Sequence, residues 1–286
     1  MARHFHFGVS MDKAMLEKRL RQAHAKLLRA HDHLREASFH FQNYRAELLK
    51  ATGGDGGLAL RAGGIRFDGP TLNPALLSLA IGDAVQCGRA ALDYVSSAIV
   101  AADGKRGRAS FPISEDANDL EAKVSGKKKL PELRKVIAAL PAMEALLRDK
   151  FKPYPEGNRL IWGLGKLANL DKHNLILLSV AQSVAQAPEV LGTGFHMKNV
   201  GFIGQPGSRQ VLISDLPADA AFVGKPFQSL ELVFSPEVEP FGGQGVFAML
   251  GPCFLEVCNV IREVERASGL VRIPLETEGK LSSPLA

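Results

Sequence analysis

Leu16, Leu20, Ala23, Leu27, Ala30, Leu34, Ala37, Phe41, Tyr44 and Leu48 follow one another at alternating spacings of four and three residues, a heptad seam sustained over about five repeats. The pattern demands one long helix, roughly 60 Å at 1.5 Å per residue. Leucine alternating with alanine along the seam lets a partner helix come close. That partner is expected from elsewhere in the chain; a second copy, giving a homodimer through this N-terminal helix, is the alternative. Six of the eight histidines lie in the first forty residues, and His24 with His31, then His33 with His40, sit seven apart beside the seam. Two helical turns separate such neighbours by about 10 Å, too far to share one ion, so a surface cluster is expected rather than a metal stripe.

The glycines of residues 52–57 end this helix, and Leu58 to Phe67 reads as a short hairpin turning at Gly63-Gly64. A second, mostly apolar helix starts with Asn73 as cap and Pro74 at its first position, and runs to about Ala102. The middle of the chain is expected to be helical with breaks: Ser114-Glu115-Asp116, Pro131 and Pro141 look like helix starts, and Pro153 and Pro155 are stops. Asn158 then caps a helix expected to run on through the apolar residues 175–178. From about Val190 to Val246 the period changes to two, with Phe195 and Met197, Val211 and Ile213, and Leu230, Leu232 and Phe234 as examples. A last helix carries Leu250, Phe254, Val257, Ile261 and Val264 on one face. The expected class is α+β: a mainly α-helical bundle of four to five helices with a small antiparallel β-sheet subdomain. One domain is expected over residues 1–286, the bundle at 11–189 plus 247–268 and the β segments at about 58–68 and 190–246.

The composition, 46% hydrophobic and 23% charged, suits a folded chain with a large core. Cys87, Cys253 and Cys258 have no CxxC spacing, which argues against a disulfide framework or a thiolate zinc site. The N-terminus lacks an apolar signal region, and the longest uncharged stretch, Asn174 to Pro188, is too short to cross a bilayer. A cytoplasmic protein with no membrane association and no cofactor is expected. Net charge is +5, with nine Lys or Arg against five Asp or Glu between Met11 and Lys50. A second basic run, Lys123, Lys127, Lys128, Lys129, Arg134 and Lys135, would give at most weak RNA contact, since it has no interleaved aromatics.

The polar residues that need explaining lie on two helices. In the second, Ser78, Gly82, Gln86, Arg89, Asp93 and Ser97 form one stripe, with Asp83 at its edge, on an otherwise apolar helix. It faces either water or the bundle interior. In the helix after Asn158, Asp171 and His173 interrupt an apolar pattern in which Leu164, Leu167, Asp171 and Leu178 share a face. A carboxylate at such a position must be paired or exposed. Asp83, Arg89, Asp93, Asp171 and His173 are therefore the candidate binding residues, and an Arg89–Asp171 ion pair is the expected link between the helices.

At these residues the chain resembles a family of uncharacterised bacterial, largely actinobacterial, proteins. Its pattern is Gly-Asp-x-x-His-Asn-x-Arg-x-Ala-Leu-Asp-His/Tyr, then Phe-Pro-Ile, Pro-Tyr and a helix with Asn-x-Asp-Lys-His-Arg. Gly82-Asp83, Arg89, Ala91-Leu92-Asp93-Tyr94, Phe111-Pro112-Ile113, Pro153-Tyr154, Asn169 and Asp171-Lys172-His173 match in order over about half the chain. Gln86-Cys87 replaces His-Asn, and Asn174 replaces the last Arg. The resemblance implies no established activity. A more distant resemblance is to HEPN-type helical domains, some of which are ribonucleases with an Arg-x4–6-His motif; here Arg89 is followed at that spacing by Tyr94. A phenol has the wrong pKa for a base near neutrality, so no metal-independent RNA cleavage is expected.

No catalytic motif is present, and whether the chain is an enzyme stays open. The leading expectation is a buried polar constellation that specifies packing or binds a small polar ligand. The alternatives are a HEPN-like RNA-binding or ribonuclease protein of defence or toxin type, and a metal-binding helical bundle, for which the Glu-x-x-His pairs of di-iron bundles are missing.

Overall fold

The computed structural model describes residues 11–51, 58–61, 64–67, 74–174, 179–203, 210–212, 217–224 and 227–271. It is an α+β fold whose residues group into two compact units. The first takes residues 11–33, 82–174 and 250–271 of the described chain, and the second takes the described parts of 34–81 and 175–249.

Helix α1 (Lys13–Ala51) forms as the heptad pattern requires. Asp12 starts it, its Oδ1 accepting from the Met15 N–H at 2.9 Å and its carbonyl accepting from the Leu16 N–H at 3.0 Å. All eight seam residues from Leu16 to Phe41 are at most 4% exposed. The seam is thus used within the chain itself. His24 and His31 are buried too, contrary to the surface cluster expected for them. The covered face is wider than a two-position stripe: it takes in the residue after each seam alanine, His24, His31 and Ser38.

A hairpin of β1 (Leu58–Arg61) and β2 (Gly64–Phe67) follows, with β5 (Gln210–Leu212) on its far edge in an antiparallel sheet of order β1-β2-β5. The expected cap Asn73 lies outside the described residues. Helix α2 (Pro74–Ala102) is long and apolar enough to cross a membrane by length and composition, with mean hydropathy 1.2, yet 56% of that stretch is buried inside the protein.

In the first unit, α2 is followed by an extended segment, residues 109–113, and then by short helices. Helix α3 (Ala117–Val124) is capped by Asp116, and α4 (Pro131–Ala139) has its proline at the first turn. Helix α5 (Ala142–Ala145) widens into a π-helical turn, Leu146–Phe151, which ends at Lys152 in the left-handed region with φ 42°. The Lys152 carbonyl then accepts from the Tyr154 and Asn158 N–H groups, both at 2.7 Å. Gly157 passes so close that a Cβ there would lie 2.5 Å from that oxygen. This turn leads into α6 (Arg159–Asn174), whose cap Asn158 accepts from the Ile161 N–H at 3.1 Å. Helix α7 (Val246–Ala267) buries Leu250, Phe254, Val257, Ile261 and Val264 as its pattern predicts.

The second unit holds the other sheet, and here the structure departs from what the sequence predicts. Helix α6 is described as far as Asn174, its expected continuation through 175–178 lies outside the described residues, and β3 (Ser179–Gly192) begins eleven residues ahead of the expected β segment. Residues 179–189 carry no strict alternation of apolar and polar side chains that marks a strand, and pairing decides for strand. Strand β3 pairs antiparallel with β4 (Phe195–Ile203) on one edge. On its other edge it pairs first with β7 (Phe227–Phe234), through Gln186, and then with β6 (Ala221–Val223), from Glu189. Pro188, which has no N–H to give, falls in the gap between those two partners.

Candidate functional site: the Arg89 cavity

Three turns of α2 in the first unit present polar side chains at four-residue steps, and the extended segment 109–113 lies along them. Ser97 Oγ accepts from the Ala109 N–H at 3.0 Å and donates to the Ala109 carbonyl at 3.1 Å. One turn earlier, Asp93 Oδ1 accepts from the Phe111 N–H at 2.8 Å, and Arg89 Nη2 donates to the Phe111 carbonyl at 2.8 Å and to Asp93 Oδ1 at 2.9 Å. Four helical residues rise about 6 Å, close to the roughly 6.6 Å that two extended residues span. The helix side chains therefore bond every second residue of the segment, as a neighbouring strand would.

One step further along the stripe, Gln86 Nε2 donates to the Ala168 carbonyl at 2.7 Å and to Asp171 Oδ2 at 2.9 Å, joining α2 to α6. Gly82 makes room for that contact: a Cβ there would lie 2.5 Å from Asp171 Oδ1. The stripe from Gly82 to Ser97 thus faces protein. The expected Arg89–Asp171 ion pair is not formed, because each of the two finds a different partner on α2. Arg89 and Asp93 are brought together, Asp171 sits with Gln86, and Asp83 is exposed. The side chain of His173 lies outside the described residues.

Arg89 also lines a cavity of about 510 Å³ in the first unit. Its charged wall is Arg89, Arg108, Lys123 and Glu132, its polar wall Ser110 and Asn169, and its apolar wall Phe111, Pro112, Ile113 and Leu130. Gly165 of α6 completes it, and a Cβ there would meet Ile113 Cγ1 at 3.0 Å, so glycine lets the segment settle on the helix. Lys123 is fully committed: Nζ donates to the Ile113 carbonyl at 2.7 Å, to Ser114 Oγ at 3.3 Å and to Asp119 Oδ2 at 2.6 Å. Burial works to raise the Asp119 pKa, but hydrogen bonds from Lys123, Lys128 and the Glu115 N–H outweigh it and hold the carboxyl well below the usual range.

Arg89 differs from Lys123. Its side chain is 14% exposed, burial pulls its pKa down from the ordinary value, and Asp93 works against that shift. Two of its five N–H groups are bound by protein acceptors. Nη1 is sealed from water and has no acceptor. Arg108 is exposed, and among the described residues no carboxylate lies within ion-pairing distance of it.

Nothing in the sequence marks Arg108, Ser110 and Glu132. They lie in a loop and at the start of α4, where no periodicity distinguishes a side chain that faces a cavity. The four-residue spacing of the α2 stripe is the available signal, since it matches an extended partner.

Elsewhere in this unit, His24 Nε2 lies 3.1 Å from Glu265 Oε1, and both residues are buried. Cys253 is buried, its thiol pushed up to about 12, chiefly by desolvation, so it is no nucleophile near neutrality. Among the described residues no group of three or more His, Cys, Asp or Glu side chains is placed to hold a metal ion. The basic run is partly spent: Lys128 pairs with Asp119 at 2.6 Å, and Arg134 donates to the Gly126 carbonyl at 2.7 Å.

Compared with known proteins, the chain matches no family model, no curated protein and no solved structure.

Proposed function

We propose that this protein binds a small anionic molecule in the cavity beside Phe111. The observation that carries the reading is the Arg89 guanidinium, which lines that cavity, is fixed by two hydrogen bonds to protein and keeps Nη1 without an acceptor. A buried charged donor without an acceptor is costly, and a carboxylate or phosphate oxygen is its strongest complement. Arg108 supplies a second cation at the exposed side, and the cavity falls within the range of about 300–1,000 Å³ usual for small-molecule sites.

The test is a titration of the protein with acetate, benzoate and inorganic phosphate, followed by the nitrogen-attached proton resonances of its arginine side chains. At least one anion should shift the Arg89 Nε resonance saturably, and Arg108→Gln should weaken that anion by about tenfold, or ~1.4 kcal/mol. Absence of a saturable shift at Arg89 with all three anions would overturn the proposal. Arg89 itself is a poor choice for truncation, because it holds the Phe111 backbone in place.

A further inference from the structure

The cavity wall contains a feature that a simple anion does not need. Glu132, second residue of α4, is half-buried and lines the same space as Arg89 and Arg108. Among the described residues no cation lies within ion-pairing distance of it, although three cations share its cavity. Lys123 has given its three N–H donors to Ile113, Ser114 and Asp119, and Arg89 is turned to Asp93 and the Phe111 carbonyl. The cavity therefore presents unpaired charge of both signs, Arg108 on one hand and Glu132 on the other, with the Arg89 guanidinium in the same wall. A doubly charged anion such as phosphate would be repelled by Glu132. Between the charges lie Pro112, Ile113 and Leu130, an apolar surface fit for a hydrocarbon body.

Resting on the anion-binding reading above, we infer that the ligand is amphoteric: a free amino acid with an apolar side chain, its carboxylate on Arg108 and Arg89 and its ammonium on Glu132. The binding is noncovalent, with no bond made or broken.

Three probes of matched shape separate the possibilities: L-leucine, 4-methylpentanoate, which lacks the amine, and 3-methylbutylamine, which lacks the carboxylate. Trp162 reports binding without a label. It is the sole tryptophan, half-buried on α6, three residues before Gly165 and seven before Asn169, with Lys166 Nζ 5.4 Å from its ring centroid. Leucine should bind at least about tenfold tighter than either analogue. In Glu132→Gln, which removes a half-buried charge with no partner to orphan, leucine should fall to the level of 4-methylpentanoate, while 4-methylpentanoate itself should bind no worse than before. Equal binding of leucine and 4-methylpentanoate to the unaltered protein, or an unchanged ratio in Glu132→Gln, would overturn the amphoteric ligand and leave the anion site standing. A shift of Arg89 Nε by benzoate or phosphate without any binding of leucine would also overturn it. Failure of every anion to reach Arg89 would remove both proposals.

Discussion

Asp171 accepts a hydrogen bond from Gln86 at 2.9 Å, and its partner across the two helices is an amide, with no guanidinium in the pair. The same Gln86 nitrogen holds the Ala168 carbonyl, so the link between α2 and α6 has no net attraction of charges. Asp171→Ala should therefore cost about 1 kcal/mol in chemical unfolding, the value of one ordinary hydrogen bond, and not the ~3–5 kcal/mol that follows when a buried ion pair loses a partner. A loss above that lower range would mean that a charge elsewhere depends on Asp171.

Asp93 carries more. Its Oδ1 serves both the Phe111 N–H and Arg89, and truncation leaves a largely buried guanidinium with only a carbonyl. Asp93→Ala is expected to destabilise by about 2–4 kcal/mol, and Asp93→Asn by less, because the amide oxygen still accepts from Phe111. Ser97→Ala should cost about 1 kcal/mol, since Ala109 then loses both of its bonds to one hydroxyl. Urea titrations of the three variants give the order directly. Equal losses for Asp93→Ala and Asp93→Asn would indicate that charge, not the Phe111 latch, sets the cost.

Two glycines of α2 should respond differently to alanine. At Gly82 the added methyl would meet Asp171 Oδ1, the tip of a side chain that can turn away. The lost hydrogen bond and the gain of about 1 kcal/mol in helix propensity nearly cancel. At Gly88 it would lie 2.7 Å from Cε1 of Phe254, a ring with no exposed surface and no room to move. Gly88→Ala is expected to cost about 1–3 kcal/mol net of propensity. Thermal unfolding of both variants checks this, and a stabilised Gly88→Ala would mean that α7 shifts freely in the first unit.

Acid should act through Asp119. Its carboxyl is held below the ordinary range by Lys123, Lys128 and the Glu115 N–H, so the folded state binds that proton less readily than the unfolded chain does. The stability this supplies is complete above the unfolded pKa of about 3.9 and is lost as pH falls from there toward the lower folded value. Asp119→Asn should lose less stability than the unaltered protein between about pH 4 and pH 2, while being less stable near neutrality. Parallel pH profiles for the two proteins across that window would contradict the assignment.

How much of this is legible in the chain differs from element to element. The seam of α1 and the apolar face of α7 are readable because a helical period sustained over many residues has no other physical solution. The start of β3 is not, because the Ser-Val-Ala-Gln repeat of residues 179–186 sets Val180 and Val184 four apart, a spacing that suits a helix, and the state of the strand is decided by pairing with β4 and β7. Arg89 and Asp93 stand out as polar exceptions on an apolar helix, yet the pattern points Arg89 to the wrong partner. Sequence marks which side chains need a partner; it does not mark a backbone N–H or carbonyl that will serve, and the Phe111 backbone serves both residues here.

The latches on residues 109–113 make α2 a ruler of fixed length. One residue inserted or deleted between Arg89 and Ser97 would turn part of the stripe by about 100° about the helix axis. Ser97 would then be out of line with Arg89 and Asp93, and a wall of the cavity would be lost in a single step. The turn at residues 103–108, which carries Arg108, has no such clamp and can change in length at little cost. Variation in this protein should therefore accumulate as altered loops around an α2 of constant length, with the ligand's outer contact free to drift while the backbone beneath it stays in register.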